Sequence, residues 1–440
     1  MFQNKKILIL GMARSGYSVA KFLSDKNNEI IITDNTPQEE SKLLELQSLG
    51  IQFFNVEKQE DLLDDSFDYV IKNPGVKELH PLVQKAYQYN IPVINELEVA
   101  YHFLPLNVQI IGITGSNGKT TTTSIAYEIL KQGSKEVTLA GNIGIPMCEI
   151  IKTLKPNSLL LCEISDHQLL NFQDFKVNTS VLTNVVKTHI DFHGDFETYK
   201  NAKRKIFAHQ TLEDAAIINK ASIDALDVAS SCNATITYFD DEVNFYDDDY
   251  IYINNEKFIA RDDLVIKGDH NCENAIVAIL IGLKYNVDKE SIKSVLRQFG
   301  GVEHRLEYVS EIKGAKFYND SKATNIDSTK IALNSFQNPT ILILGGEERG
   351  QILEELIPYL NHVKHIIAIG TCRDRIEQFA KEQSIPCSNF EFLKDTMDRI
   401  LELVEEGDTV LFSPATGSWD QYPNFEVRGE EFVQLVKQSK

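Results

Sequence analysis

The sequence predicts an α/β protein of three modules, each built on a parallel sheet covered by helices. Two observations carry this. Short Ile/Val/Leu runs that stop at Gly, Asp, Asn or Pro recur in three separate stretches, as strands buried on both faces do. The length of 440 residues also exceeds what one ordinary core encloses. In the first stretch the runs are "KKILILG", "EIIITD" and "FDYVIKNPGV". In the second they are "NVQIIGITG", "SLLLCEIS", "TSVLTNVV" and "DAAIIN", and in the third "AKFYND", "TILILGG", "VKHIIAIG" and "DTVLFSPA". Boundaries are set after "IPVINELEVA" begins and after the helical "ESIKSVLRQF", giving modules 1–97, 98–302 and 303–440. The acidic, alternating "YFDDEVNFYDDDYIYINNEKF" reads as hairpins late in the second module, its acids solvated rather than metal-binding. Ligands of open α/β sheets bind at the carboxyl ends of strands, where each of these runs stops.

Composition narrows the class. Apolar residues make up 42% and charged residues 25%, the balance of a globular protein. A net charge of −20 argues against nucleic acid, whose phosphates need a basic surface. No window has the length of a membrane span, and "MFQNKKILILG" enters a strand without a cleavable small-residue site. The six cysteines (Cys148, Cys162, Cys232, Cys272, Cys372, Cys387) show no CxxC pairing, which fits reduced thiols and a cytoplasmic location.

The chemistry concentrates in "QIIGITGSNGKTTTTSIAYEIL", 109–130, an apolar strand, a glycine turn and a helix. Gly115 and Gly118 allow a tight turn through Ser116 and Asn117. Lys119 can reach a terminal phosphate, Thr120 can place a hydroxyl on Mg²⁺, and the helix start through Thr121 offers its positive end. Ile113 stands where the usual phosphate loop has its first glycine. A plain glycine turn beside a surface lysine would explain neither the buried strand nor the four threonines. Downstream, Glu163 ends a strand as an acidic metal ligand should. The segment "TNVVKTHIDFHGDFETYKNAKRKIF" then groups His189, Asp191 and His193 ahead of a helix bearing Lys203. From spacing alone, Lys203 is an ordinary surface lysine of an amphipathic helix.

Taken in order, "TGSNGKTTT", "GNIG", "EISDHQL", "HIDFHG…YKNAK", "GDHNCENA", "HRLE", "NDSKATN" and "SPATGSWDQYPNFEVRG" resemble the Mur ligases across essentially the whole chain. These are ATP-dependent amide-forming enzymes of peptidoglycan precursor synthesis. The resemblance implies a Rossmann-like N-terminal domain for a uridine-diphosphate sugar, a central P-loop ATPase-like domain and a Rossmann-like C-terminal domain. It further implies that a carboxylate of the acceptor UDP-N-acetylmuramoyl-L-alanine is phosphorylated by ATP and that an amine then displaces the phosphate. Closure of the third domain would exclude water. The last two motifs, with "LILGGEERG", point to the branch that adds D-glutamate, expected to act as a monomer on small molecules without membrane insertion.

The resemblance assigns residues one by one. Gly115, Ser116, Asn117, Gly118, Lys119, Thr120 and Thr121 hold ATP phosphates. Thr120 and Glu163 bind a first Mg²⁺, while His189 binds a second with Lys203, carbamylated by CO₂. Asn271 and Asn274, three apart on a helix, present amides to adenine. Arg305 and Asp320 meet phosphate and ribose. Arg14, Ser15, Asp34 and Asn35 contact the uridine nucleotide, and Asn73, Asn142 and Gln168 continue toward the lactoyl-alanine end. Lys322, Thr324, Arg349, Ser418, Trp419 and Phe425 surround D-glutamate; a dicarboxylic substrate demands a fixed cation, and Arg349 supplies one.

Three positions depart from the family pattern. Asp166 and His167 stand where serine and phenylalanine are commoner, Thr188 where Asp often precedes the metal-binding histidine, and Arg349 where some relatives have lysine. With Thr188, the second metal leans on Asp191, a water or the Lys203 carbamate. Competing readings are another Mur-type ligase, including a folate polyglutamylating enzyme, and a regulatory P-loop ATPase. A third is an NAD-dependent dehydrogenase, for which "ILILGMARSG" gives Gly11 and Gly16 but Ala13 in place of the middle glycine.

Overall fold

The computed structural model describes residues 1–36 and 38–439, with the side chain of Asp191 outside the description. Contacts divide the chain into two compact units, 1–298 and 299–440.

The first unit holds two parallel sheets. Five strands run in the order Gln52–Phe54, Glu29–Thr33, Lys6–Leu10, Tyr69–Lys72, Val93–Ile94. Six more run in the order Thr235–Phe239, Ala215–Asn219, Thr179–Leu182, Gln109–Thr114, Leu159–Glu163, Val137–Gly141. Central strands of the second sheet are buried almost end to end, as expected for a sheet with helices on both faces. The flanking strands Val137–Gly141 and Thr235–Phe239 are half exposed and correspondingly less apolar, which is why no unbroken apolar run marks them in the sequence. The acidic segment folds as the expected hairpins, an antiparallel sheet of Phe245–Tyr246, Tyr250–Ile253 and Glu256–Ala260. Its acids shape turns: Asp247 accepts the amides of Asp249 (2.9 Å) and Tyr250 (2.7 Å).

Local signals fix the helices near the chemistry. Asn95 caps the helix Glu96–Tyr101, and its amide also donates to the Gln168 carbonyl (2.6 Å). Ser165 and Gln168 form a capping box for Asp166–Leu169, and Asp195 caps Phe196–Arg204.

The second unit is a six-stranded sheet in the order Glu307–Ile312, Ala315–Asn319, Thr409–Phe412, Thr340–Gly345, Val363–Ile369, Cys387–Asn389. Only the first pair is antiparallel, a hairpin at one edge. Among the described residues no helix is long and apolar enough to cross a membrane.

Candidate active site

Four adjacent parallel strands end on the same side of the central sheet, so their exits converge. They bring together Asn184, the loop from Gly115, Glu163 and Asn142. The loop leads into the helix Lys119–Gln132. Two of its glycines are obligatory. A Cβ on Gly115 (φ 151°) would lie 1.9 Å from the Thr183 hydroxyl, and one on Gly118 (φ 79°) 2.4 Å from Asn274 Oδ1. Lys119 Nζ curls back to the carbonyls of Gly115 (2.8 Å) and Ser116 (2.9 Å). The loop differs from expectation in one respect. The amides of Ser116 and Asn117 donate to the Asn184 carbonyl and side chain, both at 2.9 Å, rather than pointing to an anion. The loop runs into the positive end of the helix Lys119–Gln132, whose first turn is Lys119–Thr121. Asn271 and Asn274 do share a helix face, bonded to each other at 3.1 Å, but Asn274 Oδ1 also accepts from Thr122 (3.1 Å). Asn271 is the more accessible of the two.

Glu163 is 1% exposed. Its Oε1 accepts from the Asn142 amide at 2.7 Å, while Oε2 is buried without a hydrogen-bond partner among the described residues. A buried acceptor left unpaired is worth about 1–3 kcal/mol of lost stability, and an anionic one more. Thr120 is buried at the start of the helix that follows the neighbouring strand Gln109–Thr114. A hydroxyl and a carboxylate oxygen without a protein donor form an oxygen donor set suited to Mg²⁺. Asn142, expected on the sugar path, thus also holds Glu163 in place.

Lys203 is wholly buried: Tyr199 and Ala202 share the inward face of its helix. Its Nζ donates to the Gly115 carbonyl (2.9 Å), lies 4.8 Å over the Tyr199 ring and stands 4.0 Å from Asp166 Oδ1. Burial first, and the Lys119 charge second, pull the Lys203 ammonium down to about 7, against the attraction of Asp166. Asp166 Oδ2 in turn meets His193 Nε2 at 2.7 Å and His167 Nδ1 at 3.4 Å. Burial alone would raise this carboxyl. The His193 hydrogen bond and the Lys203 charge outweigh it and hold Asp166 well below the usual carboxylate range. Burial pushes His167 down to about 4, so it is neutral at pH 7. His189 is exposed at a left-handed position (φ 53°), its ring 5.2 Å from that of His167. The Asp191 side chain lies outside the described residues.

One cavity extends from these groups, and a second shares Asn73 with it. One of about 510 Å³ is lined by Arg14, Ser15, Asn73, Lys119, Asn142, Asp166, Gln168 and His189, which joins the phosphate loop to the N-terminal sheet. The other, about 500 Å³, includes Asp34, Asn35, Asn73 and Gly11. Asn73 lines both and donates to Ser15 Oγ (3.2 Å); Arg14 donates to the Gly144 carbonyl (2.7 Å). Asp34 shapes its own loop, accepting the Met12 amide (2.7 Å) and the Thr36 hydroxyl (2.7 Å). Gln168 Oε1 is committed to the capping box.

In the second unit a buried arginine organises the remaining residues. Arg428, 1% exposed, donates to the carbonyls of Thr416 (3.1 Å) and Gly417 (3.0 Å) and to Ser321 Oγ (3.0 Å) and O (2.8 Å). Ser321 also bonds the Phe425 carbonyl (2.8 Å). These bonds gather Lys322, Ser418 and Phe425; the Lys322 ammonium is 5.9 Å from the Phe425 ring. Thr324, half-buried, follows two residues after Lys322. Asp320 is buried, with one oxygen on the Leu306 amide (3.2 Å), beside Arg305, and the other on the Ser413 hydroxyl (2.7 Å). Burial pushes its carboxyl up to about 7.

Comparison with known proteins matches three family domains. Residues 5–95 match the Mur ligase MurD-like N-terminal domain, 113–282 the Mur ligase middle domain and 304–416 the Mur ligase glutamate ligase domain. The UDP-N-acetylmuramoylalanine–D-glutamate ligase of Geobacillus sp. (strain WCH70) is 40% identical, over 100% of this chain and 99% of that protein. The chain belongs to the Mur ligase family. The enzyme of the same name from Enterococcus hirae is also 40% identical, over 99% of this chain and 96% of that one. Among solved structures, UDP-N-acetylmuramate-alanine ligase MurC from Thermotoga maritima shares the fold: TM-score 0.61, 19% identity, 99% of this chain and 100% of that one.

Three residues that shape these regions were missed by sequence reasoning. Asn184 fixes the phosphate loop, Tyr199 bonds Ser116 Oγ (2.7 Å), and Arg428 clamps the 416–417 loop. A polar residue ending the run "TSVLTN" was the available signal for Asn184. Tyr199 and Arg428 act through long-range contacts that spacing does not reveal.

Proposed function

We propose that this Mur ligase joins D-glutamate to UDP-N-acetylmuramoyl-L-alanine, converting ATP to ADP and phosphate. The observation that carries the reading is one cleft lined by Lys119, Asn142, Asp166 and His189, with Glu163 bonded to Asn142 and Lys203 4.0 Å from Asp166 behind it, in a chain matched end to end by ligases of that name. A carboxylate oxygen of the acceptor attacks the γ-phosphorus and ADP leaves. The amino nitrogen of D-glutamate then attacks the acyl carbon, phosphate leaves, and one amine proton is released. Lys119 and the first-turn amides stabilise the charge that develops on the transferred phosphoryl group. Thr120 and Glu163 would hold one Mg²⁺, and His189 with carbamylated Lys203 a second; when bound, these ions would supply charge neutralisation. Addition of CO₂ to Lys203 forms an N–C bond and releases a proton. It requires a neutral amine, and a lysine titrating near 7 provides one. Asp34, Asn35 and Asn73 line the pocket for the uridine nucleotide, and Arg14, Ser15 and Gln168 line the path to the reacting carboxylate. Asn271 and Asn274 serve adenine, Arg305 and Asp320 the phosphate and ribose, and Lys322, Thr324, Arg349, Ser418, Trp419 and Phe425 the amino acid.

The working division is 1–97 for the sugar nucleotide, 98–302 for ATP and 303–440 for the amino acid, in a cytoplasmic monomer. Phosphate release measured with D-Glu, L-Glu, L-Ala or meso-diaminopimelate, each with its uridine-sugar acceptor, tests the reading. Release is expected only with D-Glu and the muramoyl-alanine acceptor together. Turnover with another amino acid, or ATP hydrolysis without either partner, overturns it.

A further inference from the structure

The loop after strand Thr340–Gly345 is held from several sides. The Glu347 amide donates to the Gly417 carbonyl (3.0 Å), the Thr416 hydroxyl donates to the Glu347 carbonyl, and the Glu348 amide donates to Thr371 Oγ1 (2.9 Å). Arg375 grips the Glu348 carboxylate through Nε and Nη2, both at 2.9 Å. On this base the Glu347 carboxylate turns to Arg349. One oxygen, Oε2, accepts from Nε (2.7 Å) and lies 2.6 Å from Nη2. The guanidinium carbon sits 4.7 Å from the Trp419 ring centre, although the indole is 69% exposed. Gly417 forms a flat floor: a Cβ there would come within 3.0 Å of Arg349 Cζ and 2.9 Å of Glu347 Oε2.

We propose that Glu347 and Trp419 are positioning residues that fix the Arg349 guanidinium so that only its Nη1–Nη2 edge is left to receive a carboxylate of the amino-acid substrate. The proposal rests on the reading that Arg349 takes the dicarboxylic amino acid. Nε and one side of Nη2 are committed to Glu347, and among the described residues no hydrogen bond is made to Nη1. A guanidinium held by one edge and one face keeps a single planar fork, which matches a carboxylate bidentately and a carboxamide poorly. Glu347 and Arg349 together carry no net charge, so selection at this point is by directed N–H donors more than by long-range attraction. A lysine could not be held this way, having neither the second edge nor the flat face.

The test uses the full-length enzyme and D-glutamate. Glu347→Ala is expected to raise KM for D-glutamate about ten-fold, with kcat and the KM for ATP within about two-fold. Glu347→Gln, whose amide oxygen can still accept from Nε, recovers most of the loss. Trp419→Ala raises KM about three-fold and Trp419→Phe restores it. In an Arg349→Ala background neither Ala substitution adds to the defect. The chain has a single tryptophan, so its emission reports the stack without turnover, and Arg349→Ala and Glu347→Ala both increase its quenching by acrylamide. A lower KM in Glu347→Ala would show that Glu347 competes with substrate and overturn the proposal. So would an unchanged KM in Glu347→Ala while Arg349→Ala raises it. An unchanged KM in Arg349→Ala would instead remove the reading of Arg349 itself.

Discussion

Lys203 and Arg349 are both cations assigned to anionic chemistry, yet the protein treats them in opposite ways. Lys203 is wholly buried, faces one carboxylate at 4.0 Å, and titrates near 7. The Arg349 side chain is 44% exposed, and what surrounds it fixes its orientation. Removing an ammonium from water destabilises its charged form and leaves a nucleophilic amine. A guanidinium resists deprotonation, so a site built on it gains from geometry instead. The contrast separates a lysine whose burial favours the neutral amine from an arginine whose neighbours fix its geometry.

The largest expected effects lie on the buried side. Lys119→Ala should lower kcat by about 10³-fold, since it removes charge stabilisation of the transferred phosphoryl group in a water-poor cleft; single-turnover phosphate release measures it. Lys203→Ala should lose about 10²-fold or more and regain part with formate or acetate, which substitute for the carbamate. Full activity without added carboxylate would erase the proposed difference between the two cations.

A smaller effect appears in stability. The folded Lys203 value near 7 lies below the ordinary 10.5, so between those pH values the unfolded chain binds more protons. Stability therefore rises with pH across that window, by at most about 1.4 kcal/mol per pH unit from this group. Urea midpoints in CO₂-free buffer should show this slope, and Lys203→Met should flatten it. Asp166, also held low, contributes in the same sense at lower pH: its stabilisation is present above the unfolded carboxylate value and fades as pH falls below about 4. The smallest expected effect is on the exposed side. KM for D-glutamate should change by no more than about three-fold between low and half-molar salt, because the Glu347–Arg349 pair is already neutral. A steep salt dependence would mean that recognition there is electrostatic after all.

Sheets and phosphate loop were legible because their signals are local. Apolar runs such as "QIIGIT" can only be buried strands, and glycines before Lys119 announce a turn. The half-exposed strands Val137–Gly141 and Thr235–Phe239 were not, since their partial exposure goes with sequences that have no continuous apolar run. Lys203 marks the limit of periodicity. Spacing places it on an amphipathic helix, but whether that stripe faces solvent or the sheet depends on Gly115 and Asp166, 88 and 37 residues away. The partner of the Ser116 and Asn117 amides was hidden for a similar reason: Asn184, on a neighbouring strand exit, takes them. Asp166 and His167 were visible as departures, and the structure turns them into one cluster with His193 beside Lys203.

The unpartnered oxygen of Glu163 has a consequence for the lifetime of the resting protein. A strand exit that leaves a carboxylate oxygen buried and bare among the described residues keeps the ligand-free fold slightly destabilised. Any ion that binds there shifts the folding equilibrium by mass action, about 2.7 kcal/mol at a hundred times its dissociation constant. Magnesium should therefore raise the melting temperature and slow proteolysis of the ligand-free chain before any nucleotide arrives, and Glu163→Gln should abolish both effects.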